Sequence, residues 1–250
     1  MEQKKPSSVI QKRLKGEFFV SIDFDGTVTD ADITDALIKE FAGPGWEEAE
    51  RLWEAGIIGS RECLFRQMSL IDAPMERIME HLKNFSANKT FADFVRLLRR
   101  LGVPFCIISD GFKVIIDRLL SDAGLCGVPV CANELIADEN GLKAVFPHAV
   151  GHCTSGLCKC GIASEKSNGL PVIHIGDGRS DFCLAEKAAY VFSKGRLTDF
   201  CNSRGICHTP FDDFTVIGQN LMALRMMKEP LIAAGTKDPQ KAYSDLRLEI

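Results

Sequence analysis

The stretch Phe18-Phe19-Val20-Ser21-Ile22-Asp23-Phe24-Asp25-Gly26-Thr27 decides how this chain is read. A mostly apolar run leads into two acids one residue apart, then a glycine and a threonine. An apolar run of this kind predicts a strand buried on both faces of a sheet. Acids at its carboxyl end fall where an open α/β sheet places its ligands. Asp25-Gly26 alone would suit an ordinary turn. Asp23 would not, because it is still within the strand pattern, where a bare carboxylate costs free energy unless it is paired or metal-bound.

Moving outward, Ala31 to about Asn88 reads as helical, with Ile33, Leu37, Ile38 and Phe41 at helical spacing. Gly43-Pro44-Gly45, Gly56 and Pro74 punctuate that segment. An α/β rhythm then resumes. Phe91 to Arg100 reads as a helix, and Val103 to Ile108 as a buried strand ending at Ser109-Asp110-Gly111-Phe112. A helix from Lys113 to Ala123, a strand at Val128 to Ala132 and a hairpin from Glu134 to Phe146, turning at Glu139-Asn140-Gly141, are expected next. Pro171 to Ile175 reads as another strand, ending at Gly176-Asp177-Gly178. A helix from Asp181 to Ala189, a core strand Tyr190-Val191-Phe192 and an edge strand at Ile206 to His208 complete the pattern. Strands alternating with helices predict an α/β fold, with a Rossmann-like parallel sheet sandwiched by helices and an inserted all-helical domain. The expected division is a polar leader at 1–16, a core at 17–30 and 89–225, the helical insert at 31–88 and a tail at 226–250.

A net charge of −4 offers no basic field for nucleic acid, and no apolar run reaches membrane-spanning length. The leader carries Lys4, Lys5, Lys12, Arg13 and Lys15 but no apolar core of a signal peptide. Ten cysteines in a chain of this size, without an export signal, predict reduced thiols and a cytoplasmic protein. Cys63, Cys106 and Cys183 fall in apolar patterns and are expected to be packing residues.

Three strands thus end in polar, glycine-bearing turns that a parallel sheet brings to one edge. At this point the chain resembles the haloacid dehalogenase superfamily of aspartate-nucleophile phosphatases. Asp23-Phe24-Asp25-Gly26-Thr27, Ser109 and Gly176-Asp177-Gly178-Arg179-Ser180-Asp181 carry the resemblance over about Phe18 to Phe214. The resemblance implies a phosphatase with a helical cap. Asp23 would be the nucleophile, forming an aspartyl-phosphate, and Asp25 the acid/base. Mg²⁺ would be held by Asp23, the Asp25 carbonyl and Asp177. Ser109, Asp110 and Gly111 would bind the substrate phosphate, with Thr27 and Asp181 in support. A lysine should neutralise phosphate charge from the start of a helix. Lys159 suits that role better than Lys166, which lies near a helix end. A zinc site on Cys153, Cys158 and Cys160 with a histidine is the less favoured reading of the same loop, since no standard C-x-x-C pair is present.

Within the superfamily the helical insert should choose the substrate. Phosphoserine phosphatases use an acid for the amine and an arginine for the carboxylate; here those positions fall on Asp32 and Gln67, with Arg66 adjacent. Losing a bidentate clamp argues against phosphoserine. Ser109-Asp110-Gly111-Phe112 is similar to the motif of phosphatases acting on methylthio-diketopentane phosphate and on phosphocholine-like substrates. The expected partner is a small phosphorylated metabolite, and the expected state a monomer or homodimer. Methionine salvage is the first choice of context and phosphoserine the alternative. A phosphotransferase or a non-catalytic module is the reading from a different class.

Overall fold

The computed structural model describes residues 17–138 and 141–226. The leader, the tail beyond Met226 and the Glu139-Asn140 turn lie outside the described residues. β1 (Phe19–Ile22) is buried along its whole length, as its apolar composition requires. It pairs in parallel with β2 (Phe105–Phe112) on one side and β5 (Val172–Gly176) on the other. With β3 (Val130–Asp138), β4 (Gly141–Val145), β6 (Tyr190–Ser193) and β7 (His208–Pro210), the sheet order is β4-β3-β2-β1-β5-β6-β7. Only the β3–β4 pair is antiparallel. Connections leave β1 toward β2 on one side, and the chain later crosses back to β5 on the other. The carboxyl end of β1 is therefore a topological switch point, the place where such sheets bind ligands.

Between β1 and β2 come the helical insert and one further helix. The insert comprises α1 (Ile33–Phe41), α2 (Trp46–Glu54), α3 (Ser60–Met68) and α4 (Met75–His81). α5 (Phe91–Arg100) follows and packs on the sheet through Phe91, Phe94, Val95 and Leu98. A bridge between Thr29 and Ala87 joins the two ends of the insert. The remaining helices are α6 (Lys113–Asp122), α7 (Lys159–Ser167), the short α8 (Phe182–Ala185), α9 (Gly195–Arg204) and α10 (Phe214–Met226). One large apolar cluster runs from the sheet into the insert and includes Phe24, Phe112, Phe192 and Phe214. Each fully buried side chain of that size contributes about 1.5–3 kcal/mol.

Several boundaries differ from the sequence expectation. β2 continues through Ser109-Asp110-Gly111 instead of ending at Ile108, with a register shift against β3 between Ile108 and Phe112. Such an irregularity re-aims side chains without ending the strand. The expected strand at Val128 and the first arm of the hairpin form one strand, β3. The expected Asp181–Ala189 helix is a 3-10 turn at Arg179–Asp181 followed by four residues of α8. The last strand is displaced to His208–Pro210, because the Ile206 N–H is used by the Cys201 carbonyl to close the turn after α9. α9 has no counterpart in the sequence reading. Cys63 and Cys106 are buried as expected, whereas Cys183 is exposed, because α8 turns Leu184 and Ala185 inward and leaves Cys183 outside.

Candidate active site

The ends of β1, β2 and β5 open into one cleft of about 160 Å³, which the insert roofs. Asp23 follows β1 directly, and its N–H bonds the Ile175 carbonyl at 2.9 Å, so the backbone stays in the sheet as the side chain enters the cleft. Asp23 is only 5% exposed. Its Oδ1 accepts from the Phe24 N–H at 2.8 Å and lies 2.8 Å from Lys159 Nζ. Burial, and then the nearby Asp181 charge, push the Asp23 carboxyl well above its usual range, while Lys159 works the other way.

Lys159 opens α7, so the sequence choice between it and Lys166 has a clear geometric counterpart. Its ammonium is buried and bridges Asp23 Oδ1 and Asp181 Oδ1, at 2.8 and 2.6 Å, and donates to Ser180 Oγ at 2.9 Å. Burial disfavours the charged amine, but the Asp181 and Asp23 carboxylates outweigh it and hold the pKa above the usual range. Lys166 is exposed at the other end of α7 and pairs with Glu165.

Asp181 is fully buried. Beyond Lys159, its Oδ1 lies 3.0 Å from His174 Nε2, and its Oδ2 accepts from the Asp177 and Gly178 N–H groups at 3.1 Å each. Burial alone would raise its pKa, yet Lys159 and His174 hold it well below the usual carboxylate range. Gly176 is required here, since a Cβ would come within 2.5 Å of Asp181 Oδ2.

Asp25 lines the same cleft. Its Oδ1 accepts from the Ile33 N–H at 3.0 Å and its Oδ2 from Thr34 Oγ1 at 3.4 Å, both at the start of α1. Burial and then the Asp32 charge raise its pKa to about 8. Ser109 is buried, and its Oγ accepts from the Gly111 N–H at 3.0 Å. Gly111 abuts Asp25, because a Cβ there would lie 2.5 Å from Asp25 Oδ2.

Asp110 lines the same cleft, but its carboxylate is engaged as a tie. Oδ2 accepts from Ser60 Oγ at the start of α3, and Oδ1 accepts from the Leu157 N–H at 2.8 Å and from Asn133 Nδ2 at 3.2 Å. The insert is held again by Arg179, whose Nη1 donates to the Trp53 and Glu54 carbonyls at 2.9 and 2.8 Å. In the roof, buried Gln67 donates to Glu50 Oε2 at 2.9 Å, and Glu50 lines the cleft with Asp32 and Asp35. Asp32 also caps α1, accepting from the Asp35 N–H at 2.9 Å. Arg66 points away and pairs with Glu62.

Among the described residues, Asp23, Asp177 and Asp181 form the one group of metal-ligating side chains, with ligand atoms within 4.8 Å of one another. A cluster of hard oxygen donors suits a divalent cation. Asp177 is fixed for this by Thr27, whose hydroxyl donates to its Oδ1 at 2.7 Å. Asp181 is already engaged by Lys159 and by the Asp177 and Gly178 N–H groups, which leaves Asp23 and Asp177 as the carboxylates of this group that line the cleft. Cys153, Cys158 and Cys160 form no such group, so the zinc reading has no support among the described residues.

A family model for haloacid dehalogenase-like hydrolases matches residues 20–186. The chain belongs to this family. A 2-hydroxy-3-keto-5-methylthiopentenyl-1-phosphate phosphatase of Exiguobacterium sp. is 30% identical over 201 residues, covering 78% of this chain and 93% of its own. The Bacillus velezensis enzyme of the same name is 31% identical, covering 77% and 84%. Among solved structures, a substrate-bound phosphoserine phosphatase superposes with a TM-score of 0.62 at 19% identity, covering 81% of this chain and 97% of that one. This haloacid dehalogenase-like hydrolase thus has the α/β fold and helical insert its motifs predict.

Sequence reasoning missed His174, Glu50 and Ser60, and it quoted Arg179 and Ser180 within the Gly176–Asp181 motif without giving them a site role. His174 left a signal, as a lone polar ring in the apolar run Pro171 to Ile175. Ser60 and Glu50 left none, because their places depend on how the insert folds back over the sheet.

Proposed function

We propose that this hydrolase is a Mg²⁺-dependent phosphatase that cleaves a small phosphate monoester through an aspartyl-phosphate on Asp23. The observation that carries the reading is the Lys159 ammonium bridging Asp23 and Asp181, with Asp25 in the same cleft at a pKa of about 8. Residues 31–88 would act as the cap and 17–30 with 89–225 as the core.

Lys159 and the Phe24 N–H hold Oδ1 of Asp23 and so fix the rotation of the carboxylate toward the phosphorus. Mg²⁺ on Asp23, Asp177 and the Asp25 carbonyl would supply charge neutralisation for the anionic substrate. Ser109 and Lys159 would bind the non-bridging oxygens, whose charge is where such catalysis is strongest. As the P–O bond breaks, Asp25 gives its proton to the leaving oxygen, a transfer its pKa of about 8 permits at neutral pH. The same carboxylate, now ionised, takes a proton from the water that attacks the aspartyl-phosphate. Inorganic phosphate leaves, and Asp23 is restored.

For the substrate, the names of the 30% and 31% identical relatives favour a methylthiopentenyl phosphate of methionine salvage. Phosphoserine is the second reading, supported by fold alone. Glu50, held by Gln67 where a carboxylate-gripping arginine is expected in phosphoserine phosphatases, would repel the serine carboxylate. Turnover of a panel of phosphate esters with Mg²⁺, with Asp23→Asn in parallel, tests both levels. Wild-type turnover by the variant would overturn the mechanism, and efficient phosphoserine hydrolysis would overturn the choice of substrate.

A further inference from the structure

Two thiols meet behind the active-site lysine, and phosphoryl transfer uses neither. Cys160 follows Lys159 in the first turn of α7, and Cys183 lies in α8, two residues after Asp181. Their Sγ atoms are 2.7 Å apart, both are free, and Cys160 is buried while Cys183 is exposed. The Lys159–Asp181 ion pair, at 2.6 Å, spans the same junction between the two segments. The Lys187 ammonium is close enough to both sulfurs for them to raise its pKa. A cation beside a part-exposed thiol is the setting in which oxidant-sensitive cysteines are found.

We propose that Cys160 and Cys183 form an oxidant-responsive pair that closes to a disulfide and staples α7 to α8 across the Lys159–Asp181 contact. The oxidant is hydrogen peroxide. The Cys183 thiolate attacks one peroxide oxygen, forming an S–O bond and breaking the O–O bond; the departing hydroxide, with the thiol's proton, leaves as water. The Cys160 sulfur then attacks the sulfenic sulfur, forming the S–S bond and breaking S–O, and hydroxide leaves with the Cys160 proton as a second water. The sulfur pair loses two electrons and the peroxide gains them. Because the sulfurs already meet while Lys159 contacts Asp23 and Asp181, closing the bond preserves the catalytic arrangement. It ties together segments 23 residues apart in sequence, which limits the freedom of the unfolded chain. The other close pair, Cys106 and Cys131 at 3.8 Å, is buried between neighbouring strands, away from the Lys159–Asp181 contact.

The test treats the full-length chain with hydrogen peroxide, blocks the remaining thiols and maps peptides without reduction. The expected result is a Cys160–Cys183 linked peptide and a Tm higher by about 5 °C, with turnover kept within about twofold. Dithiothreitol should reverse the shift, and Cys183→Ser and Cys160→Ala should each abolish it. The proposal is overturned if no such peptide forms, if Cys106–Cys131 links in its place, if the linked form melts no higher than the reduced one, or if either variant keeps the shift. Measuring Tm and peptide mass keeps the outcome separate from that of the phosphatase reading.

Discussion

The Thr27 hydroxyl donates to Asp177 Oδ1 at 2.7 Å, so the turn after β1 and the turn after β5 hold each other across 150 residues of chain. Thr27 is fully buried, and it fixes one oxygen of Asp177, which lines the cleft. Gly26 lets the two turns approach, since its φ is +70° and a Cβ would come within 2.4 Å of Asp177 Oδ2.

Thr27→Val keeps the shape and removes this donor. Orienting bonds of that kind are typically worth 10–100-fold in metal affinity, so Mg²⁺ should bind about tenfold more weakly. Calorimetric titration gives the value, and an unchanged Kd would sink the assignment of Asp177.

Asp23→Asn retains an acceptor for the Phe24 N–H and should fold. Turnover should fall by at least ~10³-fold, as for other nucleophile deletions. Acid-quenched enzyme should carry substrate-derived phosphate in the wild type and none in the variant; label on the variant would contradict the mechanism.

Asp25 gives a pH prediction with two readouts. The leaving group needs its proton, so kcat/KM should decline as pH rises through about 8. For stability, a carboxyl raised from 3.8 to about 8 binds a proton more tightly folded than unfolded. The metal-free protein is therefore stabilised below about pH 4, and that increment is lost progressively as pH rises through about 8. Asp25→Asn should flatten this slope in Tm against pH; an unaltered slope would assign the titration elsewhere.

Glu50→Gln removes the charge that faces the cleft beside Gln67. Phosphoserine kcat/KM should rise roughly threefold, the scale of one partly screened charge, while a phosphate monoester of an uncharged alcohol should change little. Equal changes for both esters would show that Glu50 acts through folding of the insert.

The residues that line the cleft were more legible in the sequence than the contacts that surround them. Asp23 and Asp177 announce themselves because buried strands run straight into acids, a pattern with few other physical explanations. Lys159 was legible as a helix-opening lysine beside a glycine-bearing loop. The run through Ser109 to Phe112 was misread as a turn because its continuation as a strand depends on pairing with Asn133, and no local propensity encodes that. The Glu50–Gln67 pair and the grip of Arg179 on α2 arise from tertiary approach of the insert, which periodicity does not register. Cys183 misled because the face α8 buries is set by Leu184 and Ala185, and periodicity over so short a helix does not choose between faces.

The Asp110 carboxylate joins α3, the segment leading to Lys159 and Asn133 of β3 at a single point. Ser60 and Arg179 fasten the insert to the sheet at two points beside the cleft, and the Leu157 N–H ties the segment before Lys159 to the same Asp110 carboxylate. One side chain thus sets the roof of the cleft and the approach to its lysine in a common frame, so a change at that carboxylate would be felt at both.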